Sequence, residues 1–192
     1  ELDWLSLDCG GLTPDGLRAL AATDWFNRVG ALTLFNGLTG ETFDALARAS
    51  PLERLHALTV EYPWFPAEVW ETFGRTKSLP ALAALKIEGG DLGPGVLHLV
   101  AARGFALRDL ALLRCATENR IGPALAASPW AGKLRRLTLD WCGLEPRGAH
   151  ALLNCRAFGA LRHLNLNTND IGPSGLTALA ANPALRGLRS LH

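Results

Sequence analysis

The stretch Leu161-Arg-His-Leu164-Asn-Leu166-Asn-Thr-Asn169-Asp-Ile171-Gly-Pro173-Ser-Gly-Leu176-Thr-Ala-Leu179-Ala180-Ala-Asn182-Pro183 contains one complete structural unit. Leu164 and Leu166 alternate with polar residues, the period-two pattern of a short strand with one buried face. Asn169 and Ile171 turn the chain inward, and Pro173 suits the first helical position, where its missing N–H costs nothing. Leu176, Leu179 and Ala180 have i, i+3, i+4 spacing, which predicts a short helix whose apolar stripe faces the strand. Asn182-Pro183 ends that helix, because the residue before a proline is pushed out of the helical region. The unit is strand, turn, helix and return loop.

Its opening pattern, Leu-x-x-Leu-x-Leu, begins at Leu2, Val29, Leu55, Leu82, Leu107, Leu134 and Leu161, and again, cut short, at Leu188. The intervals are 27, 26, 27, 25, 27, 27 and 27 residues. A fixed period in the range of about 20–50 residues marks a solenoid, in which each unit buries its apolar face only against its neighbours. Thr13-Pro14, Gly93-Pro94, Gly122-Pro123 and Glu145-Pro146 repeat the same punctuation before each helix. Strands stack about 4.8 Å apart while helices are about 10 Å wide, so the helices crowd outward and the array should arc. The predicted fold is α/β, a curved horseshoe with a parallel β-sheet on its concave face and α-helices on its convex face. Residues 1–192 read as a single domain cut from a longer solenoid, since Glu1 starts inside a repeat and His192 stops inside another.

This pattern resembles the leucine-rich repeat family, specifically its ribonuclease-inhibitor-like class. The consensus L-x-x-L-x-L-x-x-(N/C)-x-L fits the seventh repeat through Asn169 and Ile171 and the sixth through Cys142 and Leu144. The first and fourth depart only at Gly10 and Gly90. The second repeat is one residue short at Gly37-Leu38, and the fifth has an extended turn through Thr117-Glu118-Asn119-Arg120. The third replaces the turn with Tyr62-Pro63-Trp64-Phe65-Pro66. With Asn only at Asn169, the family's buried asparagine ladder is largely missing, so backbone groups in the turns need other partners. The resemblance implies protein–protein recognition. Related repeat proteins include nuclease inhibitors and GTPase-activating proteins, which implies as an alternative a regulatory or recognition arm of an enzyme or multidomain protein.

Net charge is +1, unevenly spread. Residues 1–96 carry 13 acidic and 7 basic side chains, and residues 97–192 carry 5 acidic and 12 basic. In a solenoid, sequence order is spatial order, so one end is acidic and the other basic, a layout open to head-to-tail self-association. No apolar run approaches the roughly 18–20 residues that span a bilayer, so no membrane role is expected. Four cysteines without CxxC spacing, and the absence of glycosylation sequons, point to a reducing, cytoplasmic setting. Arg outnumbers Lys 16 to 3, a bias that fits a high-GC bacterial coding sequence.

Positions between the inward leucines should line the concave face. The column six residues after the first leucine contains Asp8, Phe35, Glu61, Glu88, Leu113, Asp140 and Asn167; four of these seven are acidic, against 18 of 192 in the chain. Trp4, Tyr62 and Trp141 stand beside it, and exposed aromatics with charge are typical binding anchors. The expected site is therefore a concave strip of Trp4, Asp8, Phe35, Glu61, Tyr62, Glu88, Asp140 and Trp141. A solvated sheet face kept charged for solubility is the plainer alternative. Arg108, Arg135, Arg162 and Arg189 follow the first leucine in successive repeats and form a basic rim widened by Arg136 and His163, with Arg114 adding to it further along its strand. Stacked like charges repel, so an acidic ligand or neighbours such as Asp109 should compensate them. The balanced total charge and the lack of aromatic–basic interleaving argue against nucleic acid as that ligand.

Trp70 and Phe73, at i, i+3, should fill the volume left by the distorted third turn. Cys115 and Cys142 share an offset in adjacent repeats, within disulfide reach, but the family pattern implies buried free thiols. The five histidines fall at different offsets and suit no zinc site, and Gly89-Gly90-Asp91-Leu92-Gly93 lacks the Gly-Lys-Ser/Thr of a phosphate loop. No nucleophile–base set emerges either. The expected function is a non-enzymatic scaffold, without cofactor or metal, that binds another protein on its concave face.

Overall fold

The computed structural model describes residues 3–117 and 119–192. Leu2, which opens the first tetrad, and Glu118, in the long fifth turn, lie outside the described residues. Eight strands form one sheet in the order of the chain: β1 (Trp4–Asp8), β2 (Ala31–Phe35), β3 (Ala57–Glu61), β4 (Ala84–Glu88), β5 (Asp109–Leu113), β6 (Arg136–Asp140), β7 (His163–Asn165) and β8 (Ser190–Leu191). Every neighbouring pair is parallel. Between them run α1 (Pro14–Ala21), α2 (Gly40–Ala47), α3 (Ala67–Gly74), α4 (Gly95–Val100), α5 (Ile121–Ala126), α6 (Pro146–Leu153) and α7 (Gly172–Ala181), and α1 to α6 each pack on the helix of the next repeat.

The register follows the tetrad. Leu5, Leu32, Leu58, Leu85, Leu110, Leu137, Leu164 and Leu191 pair in one column, and Leu7, Leu34, Val60, Ile87, Leu112 and Leu139 in a second. From β2 to β7 the leucine positions are buried while their alternates remain partly exposed, so helices cover one face and leave the other open. A one-residue slip of any strand would send its leucines to the open face, which fixes the pairing.

The helix stripe of the seventh repeat departs from expectation. Gly175 and Ala178 are buried, whereas Leu176 is 59% exposed and Ala180 is exposed. The equivalent positions of α6, Ala149 and Leu153, are fully covered, because α7 packs over them. No described helix covers α7 in the same way. Pro123 also differs: α5 begins two residues earlier, at Ile121, after the long turn. Its third-position N–H would have been unpaired in any case.

Helix ends are closed by the following coil. The last carbonyls of a helix have no intrahelical donor. Ser78 Oγ donates to Ala47 O at 3.1 Å, and Thr76 Oγ1 to the same carbonyl at 2.6 Å, closing α2. Asn182 Nδ2 donates to Leu153 O at 2.7 Å and to Cys155 O at 2.9 Å, closing α6. The third repeat fills its irregular turn with rings, as its sequence suggests. Phe43 lies 5.0 Å from Phe65 and 4.9 Å from Phe73 between ring centroids, with Trp70 fully buried beside them.

Asn182 is buried and its amide joins two coils. Asn182→Ala should lower unfolding stability by about 1–3 kcal/mol, because two interior carbonyls lose their donor. Urea denaturation of the two proteins measures the difference.

Candidate functional site

Three outward columns line the open face. The first runs Trp4, Ala31, Ala57, Ala84, Asp109, Arg136, His163, Ser190, and the second Ser6, Thr33, Thr59, Lys86, Ala111, Thr138, Asn165. The third contains Asp8, Phe35, Glu61, Glu88, Leu113 and Asp140 at the strand ends. The middle of the face is thus small and polar. Bulk and charge concentrate at its two margins.

At the carboxyl-terminal margin the backbone does something the sequence did not reveal. The residue seven positions after the first residue of the tetrad is left-handed in six successive repeats, the second to the seventh: Asn36 (φ 54°), Tyr62 (50°), Gly89 (73°), Arg114 (54°), Trp141 (52°) and Thr168 (58°). Continued alternation would point these side chains into the core. The left-handed step keeps Tyr62 and Trp141 at the surface, 57% and 62% exposed, and buries Cys115 and Cys142 at the next position. For residues other than glycine this conformation costs about 1–3 kcal/mol each, and such strain gathers at functional sites. The sheet ladder holds it in place: Tyr62 N–H donates to Glu88 O at 2.6 Å, Gly89 N–H to Leu113 O at 2.7 Å, Arg114 N–H to Asp140 O at 2.8 Å and Trp141 N–H to Asn167 O at 3.0 Å.

Within this row the ring of Tyr62 rests on Gly89, where an added Cβ would lie 2.5 Å from Tyr62 Cδ1. Trp141, Arg114, Ala116 and Gly143 line a shallow hollow of about 440 Å³. Trp4 stands apart at the amino-terminal margin of the edge strand, 60% exposed, and Trp64 in the third turn is 73% exposed.

The acidic column is not uniform. Asp8 accepts from Gly10 N–H at 2.8 Å and from Asn36 Nδ2 at 3.0 Å, which hold its carboxyl below the usual range, the Gly10 bond contributing most. Glu88 lies between Lys86 Nζ, at 2.7 Å, and the Arg114 guanidinium. The Lys86 hydrogen bond is the main cause of its lowered pKa. These two carboxylates serve the turn and the sheet. Among the described residues, Glu61 and Asp140 form no ion pair and remain available at the surface, while Phe35 is half-buried. Arg114 does not widen the basic rim as expected. It stands at the opposite strand end, because the left-handed turn aims it at Glu88.

Arg108, Arg135, Arg136, Arg162 and Arg189 line one depression together with Asp109. Asp109 is not within ion-pair distance of any of them, so the expected compensation is missing among the described residues.

The four cysteines are free. Cys142 Sγ donates to Leu112 O at 3.3 Å and Cys115 Sγ to Gly89 O at 3.4 Å, so thiols fill part of the role of the missing asparagines. Asn169 performs it in full: its Oδ1 accepts from Cys142 and Leu144 N–H, and its Nδ2 donates to Leu139 O at 2.6 Å. Burial pushes the Cys115 and Cys142 thiols up to about 12. Among the described residues no three His, Cys, Asp or Glu side chains converge on a metal position.

A family model described as a leucine rich repeat matches residues 161–180, within the unit from which the sequence reading began. The fold is a leucine-rich-repeat solenoid. That match and the eight parallel strands alternating with helices fit a leucine-rich repeat protein. No curated protein matches the chain. No described helix of this leucine-rich-repeat array is long and apolar enough to cross a membrane.

Two outcomes follow from the electrostatics of the site. A carboxyl with a lowered native pKa stabilises the fold above its unfolded value, here 4.5, and that stability drains as pH falls through the native value. Glu88→Gln should therefore flatten the loss of thermal stability below pH 4.5 relative to the parent, measured by melting across an acid series. In the native state, iodoacetamide should modify half-buried Cys155 well before Cys115 or Cys142, as read by peptide mass spectrometry.

Proposed function

We propose that the open sheet face is a non-enzymatic docking surface for another protein, anchored by Tyr62 and Trp141 with Glu61 and Asp140 beside them and Trp4 at the opposite margin. The observation that carries this reading is the strained turn row. Asn or Gly would occupy a left-handed position at lower cost, yet Tyr62 and Trp141 stand there with their rings in solvent. Large exposed aromatics are the usual hot spots of protein interfaces. A rigid ladder beneath them limits the ordering cost of binding. Asp8 and Glu88 contribute by holding the turns, and Phe35 by backing the strip.

Repeats of 25–27 residues with a regular helix on the covered face support placement in the ribonuclease-inhibitor-like class. The free, buried thiols support a cytoplasmic setting.

The test is capture of partners from the source cell by the tagged protein, compared with the Tyr62→Ala/Trp141→Ala double variant. Each truncation should cost about 2 kcal/mol or more of binding, roughly thirtyfold in affinity. The captured set should vanish while thermal unfolding stays within a few degrees of the parent, since both rings are exposed. An unchanged captured set would refute the docking face.

A further inference from the structure

We infer that the depression at the amino-terminal margin of the sheet binds an acidic segment of the partner protein, paired through its carboxylates to Arg108, Arg135, Arg162 and Arg189. This rests on the reading of the open face as a docking surface and specifies the chemistry of what docks there.

The four arginines are not a loose surface cluster. Arg135 N–H donates to Arg108 O at 2.7 Å, Arg162 N–H to Arg135 O at 2.8 Å and Arg189 N–H to Arg162 O at 2.7 Å, so they continue the sheet ladder. Their side chains therefore leave the backbone about 4.8 Å apart, in one column. Arg136 and the partly buried His163 lie in the same depression, and the sole carboxylate lining it is Asp109. Elsewhere arginine charge is often met locally, as at Arg18–Asp15, Arg48–Asp44, Arg75–Glu71 and Arg114–Glu88. In the column, none of the described arginines is met by a carboxylate. Arg162 is also held in place, its Nη1 donating to Gly159 O at 3.1 Å and to Leu161 O at 2.9 Å. Arg108, Arg135 and Arg189 are exposed and Arg162 is anchored, so this row offers an external anion several guanidiniums that no carboxylate of the described residues occupies.

The dimensions identify that anion. Three strand intervals span about 14 Å, the length of about four residues of extended chain. Alternate side chains of such a segment fall about 7 Å apart, so each carboxylate meets a pair of neighbouring guanidiniums. Guanidinium matches carboxylate in a planar, two-point fashion that lysine does not, and no lysine lines the depression. A phosphodiester chain fits less well. Of the exposed rings on this face, Tyr62 and Trp141 stand at the other strand end, about 20 Å from the column, and Trp4 stands on β1, four strands or about 19 Å from Arg108. Asp140, beside Trp141 at that far margin, would repel phosphates led towards those rings.

Fluorescence anisotropy with a labelled octaglutamate peptide tests this, with octaglutamine as the neutral probe and a thymidine octanucleotide as competitor. Octaglutamate should bind, octaglutamine should not, and Arg135→Gln/Arg162→Gln should weaken octaglutamate about tenfold or more. Arg108→Gln/Arg189→Gln, at exposed positions, gives the same reading if the first pair fails to fold. Octaglutamate affinity should also fall steeply as salt rises. Equal binding of the neutral peptide, undiminished binding by a folded arginine variant, or tighter binding of the octanucleotide than of octaglutamate would each overturn the inference. Tyr62→Ala/Trp141→Ala should leave octaglutamate binding unchanged. If that variant loses the captured partner while folded arginine variants retain it, the docking face stands and the acidic segment is refuted.

Discussion

The in-register stacking of like residues, strand on strand, is the constraint from which everything else follows. A single repeat has too little apolar surface to bury alone, so each leucine pair is covered by the coils on either side. The ladder tolerates variation outside the strands. Repeat intervals range from 25 to 27 residues, yet β1 to β8 keep one unbroken register. Differences in length are absorbed in the turns and return loops, where the array also acquires its individual features.

Stacking creates its own polar problem, since every coil brings backbone groups into contact with the next. The chain solves it with several donor types: Asn169 in the seventh turn, Cys115 and Cys142 thiols in the fifth and sixth, and Ser78, Thr76 and Asn182 under the helix ends. The left-handed turn is part of the same solution. It lets the ladder continue through Tyr62, Gly89, Arg114 and Trp141 while returning the next residue to the core. Because the ladder enforces this geometry, large side chains can stand where an isolated turn would demand glycine or asparagine. Structural support and a row of exposed rings thus arise from one backbone device.

Much of this is legible in the sequence because it depends on periodicity. The tetrads give the strands, their parallel order, the buried leucine columns and the alignment of Arg108, Arg135, Arg162 and Arg189. The packing of Trp70 and Phe73 follows from their spacing. What escapes depends on neighbours a full coil away. Glu88 reads as one member of an acidic column, but Arg114, 26 residues later, turns back to pair with it. Leu176 reads as core and is exposed, because no described helix packs over it as α7 packs over α6. Gly89 reads as punctuation, and only the three-dimensional array shows that it seats the ring of Tyr62. No sequence pattern reported the left-handed row, since Asn, Tyr, Gly, Arg, Trp and Thr share no propensity for it.

The central claim is that a partner meets the strained aromatic row on the open face. Hydroxyl-radical footprinting of the complex with a captured partner tests it most directly, because aromatic side chains report their own exposure. Tyr62 and Trp141 should lose oxidation on binding, while Trp25, exposed in the return loop between α1 and β2, should not change. Protection of Trp25 with Tyr62 and Trp141 still oxidised would contradict the account.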